Sequence, residues 1–113
     1  MVGSTVQNLE AAASGEHEEW AELYPAFASV AKQEGFAEVA TVFTMIGKVE
    51  KEHEARFRKL LDNVRAQKVF KRDASTRWKC RNCGYVHKGT EPPGKCPACQ
   101  HPTDYFEVQA QNY

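Results

Sequence analysis

The sequence predicts an all-α helical hairpin followed by a small domain that is built around a four-cysteine metal site. Apolar residues recur at helical spacing through residues 1–66, and all four cysteines lie between Cys80 and Cys99. The composition, 42% hydrophobic and 27% charged, is that of a folded globular protein. We therefore expect one domain at residues 1–66 and another at 78–113, joined by a charged, aperiodic linker at 67–77.

Two long helices account for the first domain. The first is expected to begin at a Ser4 or Thr5 N-cap and to end at Gly35, where a short turn leads into the second. Pro25 lies inside the first helix, so we expect a kink or local break there. The apolar positions that define the two helices are Val6, Leu9, Ala12, Ala13, Leu23, Phe27 and Val30, then Phe36, Val39, Val42, Phe43, Ile46, Phe57, Leu60, Leu61 and Val64.

Charge and hydropathy exclude several classes of partner. The 15 basic and 15 acidic residues balance to a net charge of +0, so we expect neither a nucleic-acid nor an anionic-membrane partner. No apolar run approaches the roughly 20 residues that span a bilayer, and no signal peptide is evident, so a cytoplasmic location is expected. In a reducing compartment four cysteines are metal ligands rather than disulfides.

The stretch GEHEEW, residues 15–20, places carboxylates where the first helix needs apolar side chains. Glu16 and Glu19 continue its buried stripe, and Glu50 and His53 do the same on the second helix. Both sets lie about 22–28 Å from the turn at 1.5 Å per residue, so they share one level of an antiparallel pair. Facing carboxylates in a core cost several kcal/mol unless a multivalent cation joins them. The Glu-x-x-His spacing also matches di-iron helical bundles.

A solvated charged face is the alternative interpretation of these residues. Tyr24 lies near the stripe and is either a hydrogen-bond donor to a ligand carboxylate or a core tyrosine. The residues that fall off the stripe are expected at the solvated surface: His17, Glu18, Glu52 and Glu54.

The cysteine spacing predicts two knuckles that close on one tetrahedral metal. The pairs are Cys80-x-x-Cys83 and Cys96-x-x-Cys99, and Gly84 permits the positive φ of a knuckle turn. Zinc and iron both accept four thiolates, so zinc stays open as the alternative.

Aromatic neighbours favour a redox-active iron over zinc at this site. Trp78, Tyr85 and Phe106 are expected to wrap the cysteines. His87 and His101 are given no role, because four cysteines complete the coordination.

The helical carboxylate motif followed by WKCRNCGYVHKGTEPPGKCPACQHPTDYF resembles the rubrerythrin family over nearly the whole chain. The resemblance implies a ferritin-like four-helix bundle and a rubredoxin-like domain. It implies a di-iron site (Fe–O–Fe type) that reduces hydrogen peroxide to water in protection against oxidative stress. One further iron per chain, in the cysteines, would pass on electrons from an upstream NAD(P)H-linked donor.

The resemblance implies a role for each residue of this chain that matches a position of the family's motif. Glu16 and Glu19 look like the paired iron ligands, Glu19 being the one free to move. Glu50 and His53 look like the bridging glutamate and the histidine, and Tyr24 like a tyrosine beside the ligands. The four cysteines look like the rubredoxin-type iron ligands: Cys80, Cys83, Cys96 and Cys99.

Rubrerythrins have four long helices before the cysteines, whereas this sequence shows the second pair alone. Either the chain is a truncated relative, or a second copy or another protein supplies the rest. We expect a homodimer, or a higher multiple, in which two chains complete one bundle and share one di-iron site. Three alternatives remain: a rubredoxin-type electron carrier with an inert hairpin, a zinc-ribbon interaction module, and ferritin-like iron oxidation.

Overall fold

The computed structural model of the chain describes residues 2–113, which divide after Arg65 into two units. We call the part through Arg65 the helical unit and residues 66–113 the cysteine unit. Helices with a small three-stranded sheet make up the two units, which confirms the predicted fold class.

The first long helix consists of α1 (Thr5–Glu18), a π-helical segment (Glu19–Leu23) and α2 (Tyr24–Gln33). Ser4 is the N-cap and forms a capping box with Gln7, each side chain accepting a hydrogen bond from the other's backbone N–H. Pro25 begins α2 and has no N–H to donate to the preceding turn. Just before it, the N–H of Tyr24 donates to the carbonyl of Glu19, five residues back. The expected local break is therefore confirmed, in the form of a π segment.

A glycine turn separates α2 from the second long helix, α3 (Ala37–Arg65). Gly35 has a φ of 86°, its N–H donates to the carbonyl of Lys32, and the N–H of Phe36 donates to that of Ala31. These two bonds form a Schellman motif, which satisfies carbonyls at the end of α2. In residues 2–113 no helix combines the length and the apolar composition that crossing a membrane requires.

The two long helices run antiparallel. Contacts between them pair Glu10 with Arg65 and Phe27 with Phe43, so positions rise along one helix as they fall along the other. Ala13, Ala31 and Leu61 are the buried apolar residues between them.

Many larger apolar side chains of the helical unit remain exposed. We call the following set the apolar stripe: Leu23, Phe27, Val30, Val42, Met45 and Val49. Its members recur three or four residues apart on each helix, so each helix presents a second apolar face besides the one packed within the hairpin.

The cysteine unit contains an antiparallel sheet with strand order β2-β1-β3. The strands are β1 (Thr76–Cys80), β2 (Val86–Gly89) and β3 (Phe106–Val108), with a 3₁₀ turn at Thr103–Tyr105 before β3. Trp78 on β1 lies opposite His87 on one side and Val108 on the other.

The segment expected to be a linker, residues 67–77, does not stand apart from the cysteine unit. Its last two residues belong to β1, and the backbone N–H of Arg72 donates to the carbonyl of Thr90. Lys68 pairs with Asp73 at 2.7 Å, and Lys71 pairs with Glu91 at 3.0 Å. The contacts of this segment are ion pairs and one backbone hydrogen bond. Such contacts need no apolar residues at regular spacing, so the sequence shows no periodic pattern here.

The core of the cysteine unit surrounds two of its cysteines. Trp78 and Phe106 are buried together with Cys80 and Cys96, and Phe70, Tyr85 and Cys99 pack against them. Trp78 Nε1 donates to the carbonyl of Gly89 at 3.0 Å, which joins β1 to the end of β2. The aromatic surroundings expected from the sequence are confirmed.

Candidate metal centres

The four cysteine sulfurs lie within 4.8 Å of one another. Cys80 and Cys99 Sγ atoms are 3.7 Å apart, and so are those of Cys83 and Cys96. Four thiolates at about 2.3 Å from one ion would lie about 3.8 Å apart in a tetrahedron. A disulfide would bring two sulfurs to about 2.05 Å. The spacing therefore fits a tetrahedral metal rather than two disulfides.

Two equivalent turns present these sulfurs. The N–H of Gly84 donates to the carbonyl of Cys80, and the N–H of Gln100 donates to that of Cys96, both at 2.9 Å. Gly84 has a φ of 84°, which confirms the expected knuckle glycine, and Gln100 occupies the same left-handed region at 67°. The residue after each second cysteine therefore reverses the chain around the sulfurs.

The sulfurs differ in how readily they ionise. The backbone N–H of His101 lowers the pKa of Cys99 to about 5. The N–H of Tyr85 lowers the pKa of Cys83, but desolvation and the neighbouring thiols together outweigh it and raise the pKa to about 12. A bound cation would let all four ionise together.

His101, which the sequence left without a role, lies beside the cysteine site. Its Nδ1 is 3.3 Å from Cys99 Sγ and 3.2 Å from the carbonyl oxygen of Cys99. Its position two residues after the last cysteine was the signal available in the sequence.

A second group of metal-ligand type joins the two long helices. Glu16 on α1 and Glu50 and His53 on α3 bring their ligand atoms within 4.8 Å of one another. His53 Nδ1 is 2.7 Å from Glu50 Oε2 and 3.4 Å from Glu16 Oε2. Three of the four metal ligands predicted on the helices therefore converge.

Glu16 carries the observation that points to a cation. Its Oε2 is buried and has no hydrogen-bond partner. Burial, and then the neighbouring Glu50, raise the pKa of Glu16 above its usual value. This oxygen faces a second carboxylate and lies 3.4 Å from His53 Nδ1 without forming a hydrogen bond, so a divalent ion would supply its missing partner, and these residues fit iron.

Glu19 and Tyr24 lie outside that group of three among residues 2–113. Glu19 is partly buried at the start of the π segment. The ring of Tyr24 packs against Phe27 and Phe43, as the core-tyrosine alternative requires. Their roles as a ligand and as a hydrogen-bond donor stay predictions.

Glu54 corrects an expectation, because it was assigned to the solvated surface and is instead only 8% exposed. It accepts hydrogen bonds from Trp20 Nε1, from His17 Nδ1 at 3.0 Å and from Arg58 Nε at 2.6 Å. Trp20 first, then His17 and Arg58, lower the pKa of Glu54 to about 2. The apolar periodicity of one helix does not show which side chains of the facing helix will cover its carboxylates and donate hydrogen bonds to them. The available signal in the sequence was Trp20, whose large side chain carries an N–H donor on the facing helix.

Glu18 and Glu52 are exposed, as expected.

Comparison with known families matches both units. The family model "Rubrerythrin" matches residues 1–61, and the model "Rubrerythrin, rubredoxin-like domain" matches residues 78–107.

Individual relatives give the same result. Rubrerythrin of Porphyromonas gingivalis is 54% identical over 113 residues, which are 100% of this chain and 56% of that protein. Rubrerythrin of Nitratidesulfovibrio vulgaris is 47% identical over 113 residues, 100% of this chain and 59% of that protein. A solved structure of nigerythrin in a partially reduced state matches with a TM-score of 0.56 and 34% identity, over 96% of this chain and 52% of that one. The chain spans about half the length of these curated relatives. The chain belongs to the rubrerythrin family.

Proposed function

We propose that the chain acts in a non-haem di-iron oxidoreductase that reduces hydrogen peroxide to water. The observation that carries this proposal is the unpartnered, buried Oε2 of Glu16 beside Glu50 and His53. The same chain holds a complete four-thiol site, which supports delivery of electrons to the helical unit.

The reaction needs two electrons and two protons for each peroxide, and it yields two waters. When bound, the iron at the carboxylates would supply those electrons, and the cysteine-bound iron would replace them one at a time. We propose Glu16, Glu50 and His53 as ligands. Glu19 is proposed as a ligand that moves with oxidation state, and Tyr24 as a hydrogen-bond donor that orients a carboxylate.

The ligand set of one chain is half of what a di-iron bundle uses. Such bundles take a Glu from each of two helices and a Glu-x-x-His from each of the other two. This chain offers Glu16 and the pair Glu50 and His53. We propose that a second copy supplies the other half in a twofold homodimer, or a multiple of it, so that total iron approaches about two per chain.

The apolar stripe supports that assembly. A two-helix unit buries one face of each helix, and here a second apolar face is exposed on both. Two copies that join along the stripe would bury it and would bring the two carboxylate groups together. We further propose a cytoplasmic setting and an NAD(P)H-linked electron donor, which the reaction's demand for electrons supports.

Glu50→Ala tests the proposed function. Reductant-linked peroxide consumption is expected to be lost, because a proposed iron ligand is gone, while the red colour of the cysteine iron stays. The matched control is Glu52→Ala, an exposed glutamate on the same helix, which should turn over peroxide normally. Undiminished activity in Glu50→Ala would refute the proposal.

A pure electron carrier is the second candidate function. It is favoured by one observation: one chain completes the cysteine site, whereas its carboxylate group offers only three ligands. A carrier would bleach and recolour with redox reagents but would consume no peroxide beyond what free iron consumes.

A further inference from the structure

Glu54 organises a cluster of side chains that the proposed metal site does not use. Its Oε2 accepts hydrogen bonds from Trp20 and His17 on the first helix, and its Oε1 accepts from Arg58 on its own helix. Lys51 lies 5.1 Å from the centre of the Trp20 ring. The indole is therefore held at its N–H by a carboxylate and on its ring by a cation.

Four members of this cluster are the chain neighbours of proposed ligands: His17 follows Glu16, Trp20 follows Glu19, Lys51 follows Glu50, and Glu54 follows His53. Adjacent residues in a helix point about 100° apart, so the cluster and the ligands lie on neighbouring faces of the same turns. A bond that fixes one residue of such a pair fixes the backbone, and with it the direction of the other.

We propose that Glu54 is a positioning residue for the carboxylate metal site, fixing the rotation of the first helix through Trp20 and His17. The inference rests on the proposed function, because the ligands it positions are those proposed there.

The local backbone explains why such a contact matters here. Trp20 is the second residue of the π segment, and Glu19 is the first. A π segment departs from the ordinary helical bonding pattern and is rare, and it occurs mostly as a single turn within an α-helix, frequently at functional sites. The Trp20 bond to Glu54 is a charge-assisted bond from this segment to α3. The bond reaches α3 at Glu54, the residue after His53. It therefore fixes the position of the first helix along α3 next to the proposed ligands.

A role confined to fold stability is the competing explanation. Loss of a merely stabilising contact would lower the unfolding temperature but leave the metal affinity of the folded chain unchanged. Loss of a positioning contact would weaken metal binding in a chain that is still folded. Metal affinity therefore separates the two explanations.

The test uses Glu54→Gln and Trp20→Phe, with Glu52→Gln as the matched exposed control. Each chain, with iron already in its cysteine site, is titrated with cobalt(II), and the visible d–d absorption reports binding at the carboxylates. We expect both variants to bind cobalt about tenfold more weakly, as is typical when a residue that orients metal ligands is lost. Glu52→Gln should bind as the unaltered chain does, and the absorption of the cysteine iron should not change in any variant.

Full cobalt affinity in both variants would overturn the inference alone. Failure of the unaltered chain to bind cobalt at the carboxylates would overturn the proposed site, and with it this inference. If Glu54→Gln unfolds the helical unit, Trp20→Phe decides, because it leaves Glu54 its bonds from His17 and Arg58.

Discussion

Replacing Met45 by glutamine and Val49 by threonine is expected to dissociate the proposed dimer without unfolding the helical unit. The two side chains are 48% and 50% exposed, so they contribute little to the hairpin itself. Burial of the exposed half of each is worth about 1 kcal/mol. Every contact occurs twice in a twofold dimer, so the double variant loses about 4 kcal/mol of apolar burial. That loss corresponds to roughly a thousandfold weaker dimer.

Sedimentation equilibrium over a range of concentrations measures this change, and far-UV circular dichroism checks that the helices remain. Lys59→Gln is the control, because it alters an exposed polar residue outside the apolar stripe. A double variant that dimerises as tightly as the unaltered chain would remove the apolar stripe as the interface. A folded monomer that still holds a di-iron pair would defeat the shared site.

Three further predictions follow from the two units. Protein from an iron-replete source should be red and bleach with dithionite, whereas a colourless, zinc-loaded protein under the same conditions would exclude iron in the cysteines. Because its donors lower the pKa of Glu54 from 4.5 to about 2, its bonds stabilise the fold above about pH 4.5 and are lost as the pH falls towards 2. In urea unfolding, the free energy of unfolding of the helical unit should therefore fall less steeply across that pH window in Glu54→Gln than in the unaltered chain. An equally steep fall in the variant would contradict this. Trp78→Phe leaves the carbonyl of Gly89 without its donor, so the cysteine unit should lose about 1–3 kcal/mol of stability and its colour at a lower temperature. Tyr113→Phe, at an exposed position, should leave both unchanged.

The sequence alone was enough to predict that the four cysteines come together and that Glu16, Glu50 and His53 do so as well. A Cys-x-x-Cys turn depends on a few adjacent residues, so the spacing of Cys80 to Cys83 and the glycine at 84 were sufficient. Glu16, Glu50 and His53 were predictable because helical periodicity fixes their faces and the turn fixes their level.

Only the tertiary structure decided the environment of Glu54 and the form that the break in the first helix takes, a π segment. Glu54 lies off the buried stripe that the sequence predicts for its own helix, and its burial depends on Trp20 and His17, which belong to the facing helix. The π segment rotates the residues after Glu19 relative to those before it, and a stripe drawn at constant 3.6-residue periodicity cannot follow that change. Glu19 begins this segment and lies outside the group of three, because its direction depends on contacts between the helices rather than on local periodicity.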